Sequence, residues 1–336
     1  MRKAFEEVLI FCPEVKTGGP EALHQLGHQI ARHGGTARMV YYGSTSHVEI
    51  DGDILRSHAE LSLMPAHFAQ YQPEILGETR LGPDKLLVFP EPMSKIAAAP
   101  ALYRRAIWWL SLNNALSLNP ELLDEDYRKT FFSDPDLVHF YQSDYAHRFL
   151  RTSEARQCYA LSDYTDPQFV HRSLVASDNM PISERGNIVC FFPNKGADLA
   201  ERFMAGKAML RQQVAFVPIR DMTKAQVRDT LFGARVYIDF GHQPGKDRVP
   251  REAAIAGAVV LLRAAGAANC FVDHPLPPDY LFTEDDIASG RLHQTVDDIL
   301  EEPAPHFAAQ RIYRQAILLE RERFDLEVRS FFFTGL

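Results

Sequence analysis

Short apolar runs alternate with longer polar-periodic segments along the whole chain. Most of the runs are apolar on both faces, which is typical of strands in a parallel sheet that helices cover on both sides. In the first half of the chain the runs lie at residues 8–11, 37–42, 86–89, 107–110, 137–141 and 158–161. In the second half they lie at residues 188–192, 214–217, 236–240 and 258–262. Helical stretches such as 197–211 and 223–232 separate them, so the pattern predicts an α/β protein with a mainly parallel sheet in each half.

A polar stretch at residues 176–186, which contains Pro181, separates the two series of runs. The 336 residues agree with about two domains, at roughly 150 residues for each. We therefore predict an N-terminal domain over residues 1–178, a second domain over 187–304 and a C-terminal segment over 305–336.

The C-terminal segment reads as one long amphipathic helix from about residue 305 to residue 333. Its apolar residues recur at near-helical spacing, and arginine alternates with glutamate between them. These apolar residues are Ile312, Ala316, Leu319 and Phe324. The heptad spacing of a coiled coil is not sustained, so we expect this helix to pack across the two domains.

Composition narrows the class of protein. The chain has 36 Lys and Arg against 44 Asp and Glu, a net charge of -8, which argues against nonspecific binding of nucleic acid. The apolar run at residues 8–12 is too short for a signal peptide, and the longest run, 253–262, is too short to span a membrane. The four cysteines form no CxxC pair, which favours a reducing compartment. We expect a cytoplasmic protein, and contact with the inner membrane face stays open.

The first glycine-containing loop, Thr17-Gly18-Gly19-Pro20, follows the first strand and opens a helix. Glycines allow a ligand to approach the backbone closely, and the free N–H groups of a helix start attract an anion. The loop matches neither G-x-G-x-x-G nor a P-loop. An ordinary turn that needs small residues is the alternative interpretation.

Two patterns resemble metal motifs but are predicted to hold no metal. His24 and His28 lie four residues apart on a helix, but Gln25 stands where a zinc protease needs a glutamate base. We expect His24 to face a cleft between the domains. The acidic pair Asp134-Pro135-Asp136 is predicted to be a turn.

The strongest chemical signal is a charged loop that follows the strand predicted at 236–240. Five charged residues crowd into seven positions before and within the next helix, and ligands of open α/β sheets bind at this end of the strands. They are Lys246, Asp247, Arg248, Arg251 and Glu252. Cations beside a helix N-terminus suit a diphosphate, and a carboxylate in the first turn can accept hydrogen bonds from a ribose diol. A solvated charged loop is the alternative.

Two stretches resemble glycosyltransferases of the GT-B fold, the large family that includes glycogen and sucrose synthases and many bacterial polysaccharide enzymes. One is G-G-P-E-A-L-H-Q-L-G-H-Q-I-A-R-H-G-G, and the other runs from residue 216 to residue 262 and contains P-R-E-A-A-I-A-G-A-V-V-L-L. The resemblance implies two Rossmann-like domains that face a cleft. An acceptor would bind the first domain and a nucleotide-sugar donor the second.

The resemblance also implies roles for individual residues. Glu252 matches the second glutamate of the family's E-x7-E pattern, which binds the ribose, whereas the first glutamate is replaced by Pro244. Gly18 and Gly19 match the glycines that face the donor phosphates. The basic donor site would draw on Lys195, Arg220, Lys246 and Arg248, with Asp247 beside them.

The implied reaction is glycosyl transfer to a hydroxyl acceptor, without a metal or other cofactor, in the synthesis of bacterial surface polysaccharide or glycoconjugate. Helix N-termini and Lys/Arg side chains would stabilise the departing diphosphate. The acceptor would be a glycan, a lipid-linked sugar or a protein, and homo-oligomerisation stays open.

An inverting reaction needs a base, for which Glu91, His24 and Glu14 are the candidates. Two alternatives remain: a nucleotide-sugar 2-epimerase of the same fold, and an inactive module that binds glycan or serves as a scaffold.

Overall fold

The computed structural model describes residues 3–99, 101, 103–175 and 180–333. The chain divides into two compact units. The first comprises Met1–Asp163 together with Arg321–Leu336, and the second comprises Tyr164–Glu320. Part of the polar stretch predicted as a domain boundary, residues 176–179 with the limit at 178, lies outside the described residues, as do the last three residues of the predicted C-terminal segment.

The first unit is built on a six-stranded, fully parallel sheet with the order β2-β1-β6-β7-β8-β9. Its strands are β1 (Glu7–Pro13), β2 (Ala37–Tyr42), β6 (Lys85–Pro90), β7 (Arg104–Trp109), β8 (Leu137–Tyr141) and β9 (Gln157–Ala160). Consecutive residues of β1, from Val8 to Cys12, are all buried, as a strand covered on both faces requires. Burying each large apolar side chain of such a strand contributes about 1.5–3 kcal/mol.

Helices connect these strands, and a small antiparallel sheet is inserted after β2. The inserted sheet has the order β3-β4-β5, with β3 (His47–Asp51), β4 (Ile54–His58) and β5 (Glu78–Arg80). The helices are α1 (Gly18–Arg32), α2 (Met64–His67), α3 (Ser94–Ala97), α4 (Leu112–Leu118), α5 (Glu125–Ser133) and α6 (Asp144–Thr152). The apolar pattern did not predict β3 because its side chains are mostly exposed and polar.

The second unit contains a five-stranded parallel sheet with the order β11-β10-β12-β13-β14. Its strands are β10 (Ile188–Phe191), β11 (Ala215–Pro218), β12 (Val236–Asp239), β13 (Val259–Arg263) and β14 (Leu281–Phe282). Its helices are α7 (Pro167–Leu174), α8 (Ala197–Ala205), α9 (Lys224–Gly233), α10 (Arg248–Ile255), α11 (Glu284–Ala288), α12 (Arg291–Glu301), α13 (Pro303–Ala309) and α14 (Arg311–Leu318). The predicted α/β class with a parallel sheet in each half is confirmed.

The C-terminal segment is helical but divided. In place of one helix over residues 305–333, the chain forms α13, α14 and α15 (Glu320–Phe332). The break between α13 and α14 is at Gln310, which is fully buried. Its amide accepts a hydrogen bond from the N–H of Val260 at 2.9 Å and donates one to the C=O of Val260 at 2.8 Å. The side chain therefore bonds to β13 as a neighbouring strand would, a tertiary contact that helical spacing does not reveal.

In both parallel sheets, the direction in which successive strands are added reverses once. In the first unit the connection from β1 leads to β2 on one side, and the chain then returns to β6 on the other side. In the second unit β10 is likewise flanked by β11 and β12. Ligands of open α/β sheets bind at the carboxyl edge beside such a switch point. The fold thus marks one place in each unit, next to β1 and β6 and next to β10 and β12.

Candidate functional site

Most of the site residues predicted for the first unit lie at its switch point. Glu14 follows β1, Gly18 and Gly19 open α1, and Glu91 follows β6. Because β1 and β6 are parallel neighbours, these residues all follow the carboxyl ends of adjacent strands.

Glu14 is held by the loop that follows β2. Its carboxylate accepts hydrogen bonds from the N–H of Thr45 at 2.8 Å, from Oγ1 of Thr45 at 2.6 Å and from Oγ of Ser46 at 2.7 Å. Partial burial raises its pKa, but these hydrogen bonds outweigh that effect and lower the pKa to about 2. Such a carboxylate is ionised at neutral pH, and its low proton affinity makes it a weak base.

His24 is buried in α1 with both ring nitrogens engaged. Nδ1 lies 2.6 Å from the carbonyl oxygen of Pro20, which can only accept, so Nδ1 carries the proton. Nε2 lies 2.8 Å from the hydroxyl of Tyr41 and accepts from it. Burial lowers the pKa of His24 to about 4, so the ring is neutral at pH 7 and helps to attach α1 to β2.

Glu91 begins a short 3-10 helix directly after β6 and is buried. Burial raises its pKa to about 8, although the backbone N–H groups of Glu91, Leu110 and Ser111 partly offset this. The bond from the Leu110 N–H is long, at 3.4 Å. A general base works best when its pKa lies near the pH at which the enzyme operates. Of the three candidate bases, Glu91 alone has a pKa close to neutral pH.

Gly18 and Gly19 form the start of α1 without a positive φ at either position. A Cβ on Gly19 would meet only the Cδ1 of Leu110, at 3.8 Å, so the backbone does not require glycine there. The N-cap residue Thr17 provides no side-chain hydrogen bond. The absence of side chains on both glycines leaves the first-turn amides accessible, as an anion site needs.

The two apparent metal motifs have structural roles. Nδ1 of His28 bonds to the carbonyl oxygen of Tyr71 at 3.0 Å. Asp134 forms the predicted turn by accepting from the N–H of Asp136 at 2.8 Å, and its other carboxylate oxygen pairs with Arg105 at 2.8 Å.

In the second unit, the loops after β10 and β12 meet at the switch point. Nζ of Lys195 lies 2.5 Å from the carboxylate of Asp247, the residue that precedes α10. Gly196 has a φ of +69°, and a Cβ there would lie 2.2 Å from the carbonyl oxygen of Phe240. Glycine is therefore required at this position, because the loop after β10 touches the backbone that follows β12.

A buried ionic network fixes the loop before α10. Nζ of Lys246 lies 3.2 Å from one carboxylate oxygen of Glu320, and Nη1 of Arg251 lies 2.9 Å from the other. Lys246 is 7 % exposed and Arg251 is fully buried. The N–H and the hydroxyl of Thr165 also donate to Glu320, at 3.0 Å each. Lys246 thus lies in a buried network, whereas Lys195 is partly exposed.

The remaining predicted residues lie in different places. Arg248 is the first residue of α10, Glu252 follows Arg251 in the same helix, and both are half-buried. Arg220 follows the edge strand β11, is exposed and forms no ion pair with another described residue. The structure therefore brings Lys195, Asp247 and the start of α10 together and leaves Arg220 at the edge of the sheet.

Sequence reasoning missed Asp239, the last residue of β12. Its carboxylate is buried and accepts from the hydroxyl of Tyr237 and from the N–H of Gly241, both at 2.8 Å. Burial, followed by the charge of Asp247, raises its pKa to about 6. An aspartate within the apolar run 236–240, two residues before Gly241, was the signal available in the sequence.

His274 is a second missed residue. It is buried, with Nδ1 2.9 Å from the hydroxyl of Tyr313. Burial, together with the charges of Lys246 and Arg251, lowers its pKa to about 3. This histidine is therefore a neutral neighbour of the ionic network.

Several solved structures match almost the whole chain. A sucrose-phosphate synthase from Thermosynechococcus elongatus covers 97 % of this chain and 98 % of its own, with a TM-score of 0.62 and 16 % identity. The Anabaena protein Alr3699/HepE, solved in complex with UDP-glucose, covers 96 % and 98 %, with a TM-score of 0.61 and 13 % identity. This chain has the GT-B fold.

A third GT-B structure, an α,α-trehalose 6-phosphate synthase from Burkholderia multivorans, is similar over 96 % of this chain and 94 % of its own. Its TM-score is 0.55 and its identity 11 %. No protein-family model and no curated protein matches the chain. The similarity therefore shows the fold, which agrees with the resemblance seen in the sequence.

None of the helices in the described part of the chain combines the length and the apolar character that crossing a membrane requires.

Proposed function

We propose that this GT-B protein transfers a glycosyl group from a nucleotide-sugar donor to a hydroxyl acceptor. The observation that carries the proposal is the switch point of the second sheet, where Lys195 and the N-terminus of α10 lie at the carboxyl edge. A diphosphate is the ligand that a cation beside a helix N-terminus suits best. The structural neighbours support this choice, because one of them was solved with UDP-glucose and again with UDP.

The donor-binding residues divide into two groups. Lys195, Arg248 and the first amides of α10 would contact the diphosphate, and Glu252 would accept hydrogen bonds from the ribose. Lys246 would act mainly through its position, because its bond to Glu320 fixes the loop before α10. Gly18 and Gly19 would present amides to the donor phosphates, and Arg220 would add charge at the periphery.

Catalysis would rest on electrostatic stabilisation of the leaving diphosphate, without a bound metal. The charge on the diphosphate grows as the glycosidic bond breaks, so groups fixed in advance stabilise the transition state more than the ground state. Loss of one such group costs about 3 kcal/mol of activation free energy, which is about 100-fold in rate. Of the three candidate bases, Glu91 would accept the proton of the acceptor hydroxyl, and its raised pKa supports this role.

We extend the proposal to acceptors that are glycans, lipid-linked sugars or proteins in bacterial surface polysaccharide or glycoconjugate synthesis. The support is the resemblance of the two sequence stretches to bacterial polysaccharide enzymes. A panel of such acceptors, with the products identified by mass spectrometry, tests this part separately.

The decisive experiment compares nucleotide binding with donor turnover. UDP, GDP, CDP and dTDP are each added at millimolar concentration, and the melting temperature is measured with EDTA present. We expect one or more of them to raise the melting temperature. The substitution Glu252→Ala should lower the affinity for that nucleotide by about tenfold or more, because it removes hydrogen bonds to a charged group. The control substitution Glu201→Ala, on α8, should leave the affinity unchanged.

A donor screen by mass spectrometry then separates the classes of activity. Release of the nucleoside diphosphate with transfer or hydrolysis of the sugar supports a glycosyltransferase, and conversion of the donor to its 2-epimer supports an epimerase. If no nucleotide changes the melting temperature, the proposal is wrong and a non-catalytic module is the better interpretation.

A further inference from the structure

The inserted antiparallel sheet brings two histidines and a glutamate together on one face. His47 and Glu49 are two residues apart on β3, so their side chains point to the same side of the sheet. His58 on β4 is directly opposite His47 in the register. The two imidazole rings stack, with their centroids 4.4 Å apart and their planes at 15°.

The three side chains offer a set of ligand atoms with nearly the spacing that a metal ion requires. Nε2 of His47 lies 3.6 Å from Oε1 of Glu49, and Nε2 of His58 lies 3.8 Å from Oε2. One ligand atom of each residue lies within 4.8 Å of the other two. Tetrahedral Zn²⁺ with bonds of about 2.0–2.1 Å places its ligand atoms about 3.3–3.4 Å apart, so small side-chain rotations would close the set.

The cation opposite Glu49 on the neighbouring strand pairs with another carboxylate. Arg56 is directly opposite Glu49 in the register, where a cross-strand ion pair would be expected. Instead, Nε of Arg56 lies 2.6 Å from the carboxylate of Glu78, on the next strand. Within the described residues, His47 and His58 are the only basic side chains within ion-pairing distance of the Glu49 carboxylate.

The Nε2 atom of His58 gives a second reason to infer a ligand. The His58 side chain is 39 % exposed, but its Nε2 atom is buried and has no hydrogen-bond partner among the described residues. It points to the carboxylate of Glu49 at 3.8 Å, which is too long for a hydrogen bond. A buried nitrogen lone pair in this position would be satisfied by a metal ion.

We propose that His47, Glu49 and His58 bind one Zn²⁺ ion, which links β3 to β4. Two imidazoles and a carboxylate are ligands that Zn²⁺ accepts, and water would fill the fourth position. The hard cations Mg²⁺ and Ca²⁺ prefer oxygen ligands, so the site would discriminate against them. The site includes none of the residues assigned to the proposed transfer reaction.

Titration calorimetry on the full chain, prepared without a histidine tag and stripped with chelator, tests the proposal. We expect one Zn²⁺ per chain and no saturable binding of Mg²⁺ or Ca²⁺. The substitutions Glu49→Gln and His58→Ala should each weaken Zn²⁺ binding by at least about tenfold. His171→Ala and Glu60→Gln are the controls, since both residues are exposed and lie outside the set.

Hydrogen exchange gives an independent measurement. Zn²⁺ should slow exchange of the β3 and β4 amides in the wild-type chain and leave Glu49→Gln unchanged. Glu49→Gln preserves the shape of the side chain, so the test stands even if His58→Ala does not fold. No binding by the wild-type chain, or equal binding by the wild-type chain and Glu49→Gln, would overturn the proposal.

Discussion

At the scale of single residues, burial and hydrogen bonding give different pKa values to three side chains that look equivalent in the sequence. Glu14, His24 and Glu91 are all polar candidates for the base, yet hydrogen bonds lower the pKa of Glu14 to about 2 and burial lowers that of His24 to about 4. Burial raises the pKa of Glu91 to about 8. The sequence predicts where these residues lie, but the ionisation of each depends on contacts from distant segments, such as Thr45 to Glu14.

The high pKa of Glu91 predicts the direction of the pH dependence of catalysis. A general base must be deprotonated, so kcat/KM should rise with pH and level off above about pH 8. Glu91→Gln should abolish transfer and retain nucleotide binding, as measured by donor turnover and thermal shift. Glu14→Gln is the control, and an unchanged rate in Glu91→Gln would contradict the assignment.

The same ionisation predicts a change in stability with pH. In the unfolded chain Glu91 has its ordinary pKa of 4.5, whereas in the folded chain its pKa is about 8. Between these values the folded state binds the extra proton, so this residue makes the protein less stable as pH rises. The melting temperature of the wild type should fall relative to that of Glu91→Gln between pH 5 and pH 8, and parallel curves would refute the shift.

At the scale of elements, α10 is held by contacts that no local pattern reveals. The helix itself and its charged loop could be predicted from the sequence near residue 250. Glu320 could not, because it is 69 residues away from Arg251 and resembles the other glutamates of its charged helix. The small sheet that carries His47 was missed for a different reason, since β3 is short and mostly exposed and is not apolar on both faces as the strands of the main sheets are.

Removal of the carboxylate from the buried network should destabilise the second unit. Glu320→Gln removes the carboxylate charge that lies 3.2 Å from Lys246 and 2.9 Å from Arg251, and breaking such a buried ion pair typically costs about 3–5 kcal/mol. Chemical denaturation measures the free energy of unfolding. Glu322→Gln is the matched control, because Glu322 is exposed on the same helix and its substitution should change stability by less than about 0.5 kcal/mol.

Two glycines of the second unit should respond in opposite ways to alanine. Gly196→Ala places a Cβ 2.2 Å from the carbonyl oxygen of Phe240 at a positive φ, so it should cost at least about 1–3 kcal/mol and weaken nucleotide binding. Gly233 ends α9 without a positive φ, and a Cβ there would meet no described atom within 4 Å beyond its own neighbours. Gly233→Ala should raise stability by about 0.4–1 kcal/mol in the same denaturation experiment.

At the scale of the whole molecule, the two-sheet GT-B organisation could be predicted because it depends on strands that are apolar on both faces. The ten apolar runs predicted every strand of the two parallel sheets except the short β14, and the switch points follow from the strand order. The position at which the chain enters and leaves each unit could not be predicted in this way. It depends on contacts between residues that are far apart in sequence, and Thr165 and Glu320 are an example.

The bond between Thr165 and Glu320 has a consequence for how the second unit is connected. Thr165 is the second residue of that unit and Glu320 its last, and their atoms are 3.0 Å apart. The unit is therefore a single continuous insertion whose two ends meet. A gene fragment for residues 164–320 should accordingly yield a domain that needs no bridging linker, and joining its ends with a short peptide would allow new termini to be opened in an exposed loop.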